Sequence, residues 1–129
     1  MRRLVRRTAL AVLAVAALAA CEGGTGDDGA GGRAAADVDV DRGAELFAAN
    51  CAVCHGDAAD GTAAGPPLVH EIYEPSHHSD AAFLIAVQRG VQPHHWDFGP
   101  MPPISGLDAA DVADITAWVR ERQREAGIE

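Results

Sequence analysis

The chain has 129 residues, a formal net charge of −9, and 19 acidic residues set against 10 arginines with no lysine. That length leaves room for one small domain and little else. The acidic balance repels phosphate backbones and anionic lipid, which argues against nucleic-acid binding.

The first residues do not read as part of the domain. Arg2, Arg3, Arg6 and Arg7 precede an unbroken apolar run at 9–20. Such a run suits the core of a secretory signal peptide and is short for a bilayer span, an uncleaved anchor being the alternative. Arg6-Arg7 sits in a poor twin-arginine context, so ordinary unfolded export is expected. The run ends in Leu18-Ala19-Ala20-Cys21, which resembles the lipobox of bacterial lipoproteins. The resemblance implies a signal peptide at 1–20, cleaved before Cys21, and a diacylglycerol on the Cys21 thiol. The protein is then exported and lipid-anchored on the periplasmic or extracellular side of a bacterial membrane. An ordinary signal peptide would instead leave an odd unpaired thiol in an exported chain.

Residues 21–37 follow as the lipidated cysteine and a tether, with glycines at 23, 24, 26, 29, 31 and 32 and almost nothing to bury. Its mean reach is roughly 20–25 Å, enough for a domain to reorient beside a membrane. All 19 acidic residues but only six arginines lie beyond residue 20. Redox partner proteins with basic docking faces are the natural complement, in contacts that weaken as salt rises.

The domain is expected at 38–129, with three main helices. The first starts near Asp39 or Asp41, either able to cap it, and Val40, Ala44, Phe47 and Cys51 share one face. The second covers 79–89, capped by Ser79, with Phe83, Ala86 and Val87 inward and Gly90 at the C-cap. The third begins at Asp108, with Leu107 and Val112 placed as a hydrophobic staple. Val112, Ile115, Trp118 and Val119 form its buried stripe, and Arg120, Arg122 and Arg124 suit its negative end. The intervening segments are rich in Gly, Pro and His and show no alternating strand pattern. So few aromatics make a modest core, and loops this long need something large and apolar to pack against.

The motif Cys51-Ala52-Val53-Cys54-His55 names a candidate for that body. Two cysteines three apart on a helical turn can each form a thioether with a haem vinyl group, and the next histidine can ligate the iron. A redox dithiol requires a leading strand, where this sequence has a helix. A zinc site requires a second Cys/His cluster, for which His70, His77, His78, His94 and His95 are the available residues.

For the opposite face of the iron the candidate is Met101, the one methionine left after signal removal, in Gly99-Pro100-Met101-Pro102-Pro103. Flanking prolines stiffen the loop and remove amide donors, which suits presentation of one side chain. A thioether favours Fe(II) and raises the reduction potential; the alternative is that Met101 only packs in the core.

Together these features resemble the class I c-type cytochromes over 39–123. Gly43 and Phe47 are similar to the glycine and aromatic of that family's N-terminal helix, which cross its C-terminal helix at an aromatic, here Trp118. Gly65-Pro66-Pro67-Leu68 resembles the family's Gly-Pro-x-Leu segment. The resemblance implies an all-α cytochrome c fold around one covalent haem c held through Cys51 and Cys54. It further implies that the Pro66 carbonyl accepts the ring N–H of His55 and that Leu68 packs on the haem face.

The pairs His77-His78 and His94-His95-Trp96 depart from the family pattern. They read as polar loop residues, with His and Trp96 donors available to haem propionates; as a distal ligand, His94 or His95, in place of Met101; or as a surface copper or zinc site. Tyr73 has no assigned role. The function expected is single-electron transfer by a His/Met-ligated haem, not catalysis. The rivals are a subunit of a membrane redox enzyme, such as a haem–copper oxidase or another reductase or dehydrogenase, and a ligand-binding haem protein with an open iron.

Overall fold

The structure is a computed structural model that describes residues 37–128. The signal peptide expected at 1–20, the lipidation site Cys21 and all but the last residue of the tether at 21–37 lie outside the described residues. Four α-helices occur in the order α1 (Val40–Asn50), α2 (Ala52–His55), α3 (Asp80–Arg89) and α4 (Ala109–Glu125), with a 3-10 turn at Glu71–Tyr73 before α3. Among the described residues the β structure amounts to an isolated antiparallel bridge between Val91 and Met101. The fold is all-α, and α1, α3 and α4 are the three main helices.

The three main helices each start after an extended N-cap residue, and at α1 and α4 its carboxylate takes up a free amide. Asp39 is extended, and its carboxylate accepts the Arg42 N–H at 3.0 Å, which opens α1. Asp108 and Asp111 form a reciprocal capping box at the start of α4, with bonds of 2.8 and 3.0 Å. Ser79 occupies the N-cap of α3 by backbone conformation alone, because its hydroxyl makes no capping bond. Gly90 ends α3 at φ +73°, where a β-carbon would be strained.

The scaffold is the crossing of α1 over α4. A β-carbon on Gly43 would come within 2.1 Å of the Asp114 carbonyl oxygen, so only a glycine lets the two backbones approach this closely. One turn on, the Phe47 and Trp118 rings meet at 4.5 Å between centroids, tilted by 37°. Phe47, Ile115 and Val119 are buried there with Ala52 and Ala59. The crossing also carries charge: the Asp114 carboxylate, 1% exposed, accepts the Asp39 amide and an Arg42 N–H, each at 2.8 Å. Arg42 also reaches Asp111. These charge-assisted bonds offset the cost of burying a carboxylate.

One expectation for α4 is overturned. Arg120 does not belong to the basic end of the helix, where Arg122 and Arg124 occupy the last turn; it lies ahead of that turn and is buried. Its guanidinium donates to the Asp80 carboxylate at 2.9 Å, the Tyr73 carbonyl at 2.6 Å, Gln123 Oε1 at 2.7 Å and the His78 carbonyl. Gln123, also buried, donates to the carbonyls of Leu68 and Tyr73 at 2.8 and 3.0 Å. The physical reason is periodicity: Val112, Ile115, Thr116, Val119, Arg120 and Gln123 are the buried face of α4, and the arginine and glutamine fall on that stripe. They satisfy loop carbonyls that have no helical partner.

Gly43→Ala is expected to destabilise the domain by about 3 kcal/mol, since backbone atoms must give way. A fall in Tm of roughly 10–20 °C would follow, and an unchanged Tm would contradict the close crossing. A second expectation concerns acid. The Asp108 amide, chiefly, and also Arg42 hold the Asp111 carboxyl below the usual carboxylate range, against the opposing effect of burial. The stability it contributes is present above the unfolded carboxylate pKa, about 3.9, and is lost as pH falls through the lower folded value. The Tm of Asp111→Asn should therefore fall less steeply with acidification below about pH 4 than that of the parent.

Candidate functional site

The functional turn is α2. Cys51 ends α1 and caps α2, so the chain passes from one helix to the next without a loop. Cys51 and Cys54 are half-buried free thiols, and His55 closes the turn, buried. Burial, first, and the neighbouring Cys54 push the Cys51 thiol up to about 11. Its nucleophilic thiolate is therefore scarce at neutral pH.

The His55 ring is held by the loop that follows it. Its Nδ1 donates to the Pro66 carbonyl at 2.8 Å, which leaves the Nε2 lone pair free to accept or ligate. The loop is stiff for local reasons. Gly56 and Gly61 take φ of +81° and +88°, and Gly61 N–H bonds the His55 carbonyl at 2.6 Å. Thr62 Oγ1 bonds the Cys54 carbonyl at 2.7 Å. Ala59, fully buried at φ +57°, accepts the amides of Leu68 and Val69 at 2.8 and 3.0 Å. Leu68 is half-buried against the core cluster. Nothing in the composition around Ala59 marks it in advance, since alanine carries no sign of a left-handed turn.

Met101 sits on a different loop. Val91 and Met101 exchange two backbone bonds of 3.0 Å, and Ile104 N–H bonds the Val87 carbonyl at 2.8 Å, which ties both ends of the 91–101 loop to the end of α3. Met101 is half-buried. Within that loop Trp96 Nε1 is buried without a hydrogen-bond partner of normal geometry, and its ring meets His70 edge-on at 5.0 Å. His70 caps the 3-10 turn, its Nδ1 accepting the Ile72 amide at 3.2 Å. Burial raises the Tyr73 phenol above its ordinary range, opposed by the Trp96 indole.

The two histidine pairs meet in space. His77 and His78 stack at 4.7 Å, and His95 packs edge-on against both at 5.1 Å. His94 lies 4.3 Å from His95 and 5.9 Å from His78. Burial, and then its histidine neighbours, hold His95 below the ordinary imidazole range.

The donor set fits a haem. Two thiols flank a helical turn, the imidazole beside them has one nitrogen tied and one to offer, and a thioether stands on a proline-stiffened loop. Leu46, Leu68, Val69, Phe83 and Trp118 pack, partly buried, against the core cluster that includes Ala52 of this turn, and the Trp96 N–H is a donor for an acidic edge. Cys51, Cys54, His55 and Pro66 thus converge, while Met101 arrives with His94 and His95 on the 91–101 loop, and His77 and His78 stand on the turn before α3.

A helical domain with this turn defines a protein of the haem-attaching class. The family model for cytochrome c matches residues 40–123, and the chain belongs to the cytochrome c family. It is a haem-binding electron-transfer protein, and the family carries its c-type haem covalently. No curated protein matches the chain significantly. Among the described residues, no helix is long and apolar enough to cross a membrane.

Gly90 is the position on which the Met101 loop depends most directly. A β-carbon there would come within 2.4 Å of the Met101 carbonyl oxygen, at a φ already unfavourable to alanine. Gly90→Ala is expected to lower stability by about 1–3 kcal/mol. Gly99→Ala, whose β-carbon meets nothing within 4 Å, is expected to leave the Tm nearly unchanged in the same thermal melt.

Proposed function

We propose that this chain is a single-electron carrier with one haem c attached through Cys51 and Cys54, ligated by His55 and Met101. In this reading it is exported and held by a lipid on Cys21 at the outer face of a bacterial membrane. The observation that carries the proposal is the His55 Nδ1 to Pro66 bond of 2.8 Å, which aims a lone pair beside two thiols. The bound haem supplies reversible one-electron exchange between Fe(III) and Fe(II).

The chain's own residues do the rest. Cys51 and Cys54 anchor the group to a turn built into the α1–α2 junction. Pro66 orients His55 and, as acceptor of its N–H, enriches the donor nitrogen. Leu68, half-buried against the core, would pack on the apolar face of the group and help to keep water from it. Met101 would complete the ligand set from a loop whose backbone is bonded at both ends. The acidic surface favours partner proteins with basic faces, and the lipid and tether favour partners at the same membrane.

The test is an absorption spectrum of the matured protein before and after dithionite, for wild type and Met101→Ala. Wild type should show the weak far-red sulfur-to-iron band of the ferric form, and the variant should lose it and fall in reduction potential. Haem bound without that band in wild type would overturn Met101 ligation.

A further inference from the structure

The histidine pairs are not needed for haem attachment, and their arrangement has the marks of a second metal site. One ring nitrogen from each of His77, His78 and His95 lies within 4.8 Å of the others. Metal–imidazole bonds of about 2.0–2.1 Å place ligand nitrogens roughly 2.9–4.2 Å apart, from neighbouring tetragonal to opposite positions, so small ring rotations close the set. His78 is already oriented for the purpose. Its Nδ1 donates to the Ile72 carbonyl at 2.7 Å, which fixes the tautomer and leaves Nε2 as a lone pair, the outer bond that metal-binding histidines commonly make.

The backbone beneath is equally fixed. The amides of His77 and His78 both bond the Glu74 carbonyl, at 3.1 and 2.8 Å, and the His78 carbonyl accepts from buried Arg120. His95 comes from the 91–101 loop, closed by the Val91–Met101 bridge. His77 is exposed while His78 and His95 are half-buried, so the nitrogens are reachable from solvent on a supported floor. His77, His78 and His95 are in mutual ring contact, with His94 against His78 and His95, and such a cluster of imidazoles is a ready donor set for one shared cation.

We infer that His77, His78 and His95 bind one divalent transition-metal ion, Cu2+ ahead of Zn2+, joining the 74–79 turn to the loop that carries Met101. Imidazole donors suit both metals, and the ordinary order of complex stability puts copper first. Water or His94 completes the coordination. This inference is independent of the ligation proposed for the haem, since none of the three residues belongs to that set.

The test uses the ferric, haem-loaded protein, which cannot reduce the added copper. Calorimetric titration with Cu2+ and with Zn2+ should each show one equivalent bound, copper the tighter. The Cu2+ electron paramagnetic resonance spectrum should carry splitting from imidazole nitrogens. His77→Ala/His95→Ala should weaken copper binding by about 100-fold or more, beyond what loss of an outer-shell partner costs. His70→Ala should bind as wild type does. Circular dichroism of each variant checks that it is folded. Zn2+ should raise the Tm of wild type and not of the double variant, because the ion binds only the folded state. Absence of saturable binding, or binding that survives the double substitution in a folded protein, would overturn the inference.

Discussion

The close approach of α1 and α4 at Gly43 is the constraint on which the rest of the domain depends. It sets the distance at which Phe47 meets Trp118 and brings Asp114 within reach of the Asp39 amide and Arg42. Because α2 follows α1 through Cys51 without a loop, the same crossing also places the functional turn. A shift at the crossing would move the two thiols and His55 as a unit. The candidate attachment residues thus ride on a helix pair rather than on a loop, the more precise of the two supports.

The second organising element is polar. Arg120 and Gln123 reach out of the buried face of α4 to the carbonyls of Leu68, Tyr73 and His78. A buried guanidinium is costly unless its donors are used, and here Nε, Nη1 and Nη2 all find acceptors. The benefit is to the long segment between α2 and α3, where the carbonyls of Leu68, Tyr73 and His78 gain partners from α4. The Arg120 ring contact with Phe83, at 5.0 Å, extends the same support to a side chain packed against the core cluster.

These two elements divide the work at the site. The helix crossing places Cys51, Cys54 and His55; the polar network and the Val91–Met101 bridge place what comes from the loops. Met101 and His95 share one loop, and His77 and His78 stand on a turn that Arg120 holds. Any ligand that joined the turn to the loop would therefore act on the segment that presents the thioether, through short backbone connections rather than through the core.

Much of this was legible in the sequence because it is local. Caps at Asp39 and Asp108, the glycine stop at Gly90, the inward stripe of α4 and the Cys51-Cys54-His55 turn all follow from spacing within a few residues. The same locality explains the misreading of Arg120, assigned by its charge to a helix end although its spacing from Val112 and Val119 places it on the buried face. Ser79 shows the converse, a favoured capping residue that caps with its backbone only. What the sequence by itself determined was the helices, the attachment motif and the membership these imply, since such features depend on short-range geometry. Only the tertiary structure decided that Arg120 and Gln123 would be buried beneath the loops, and that His77 and His78 would meet His95. Those contacts join residues far apart in the chain, and they form only once the helix crossing has closed the distance between them.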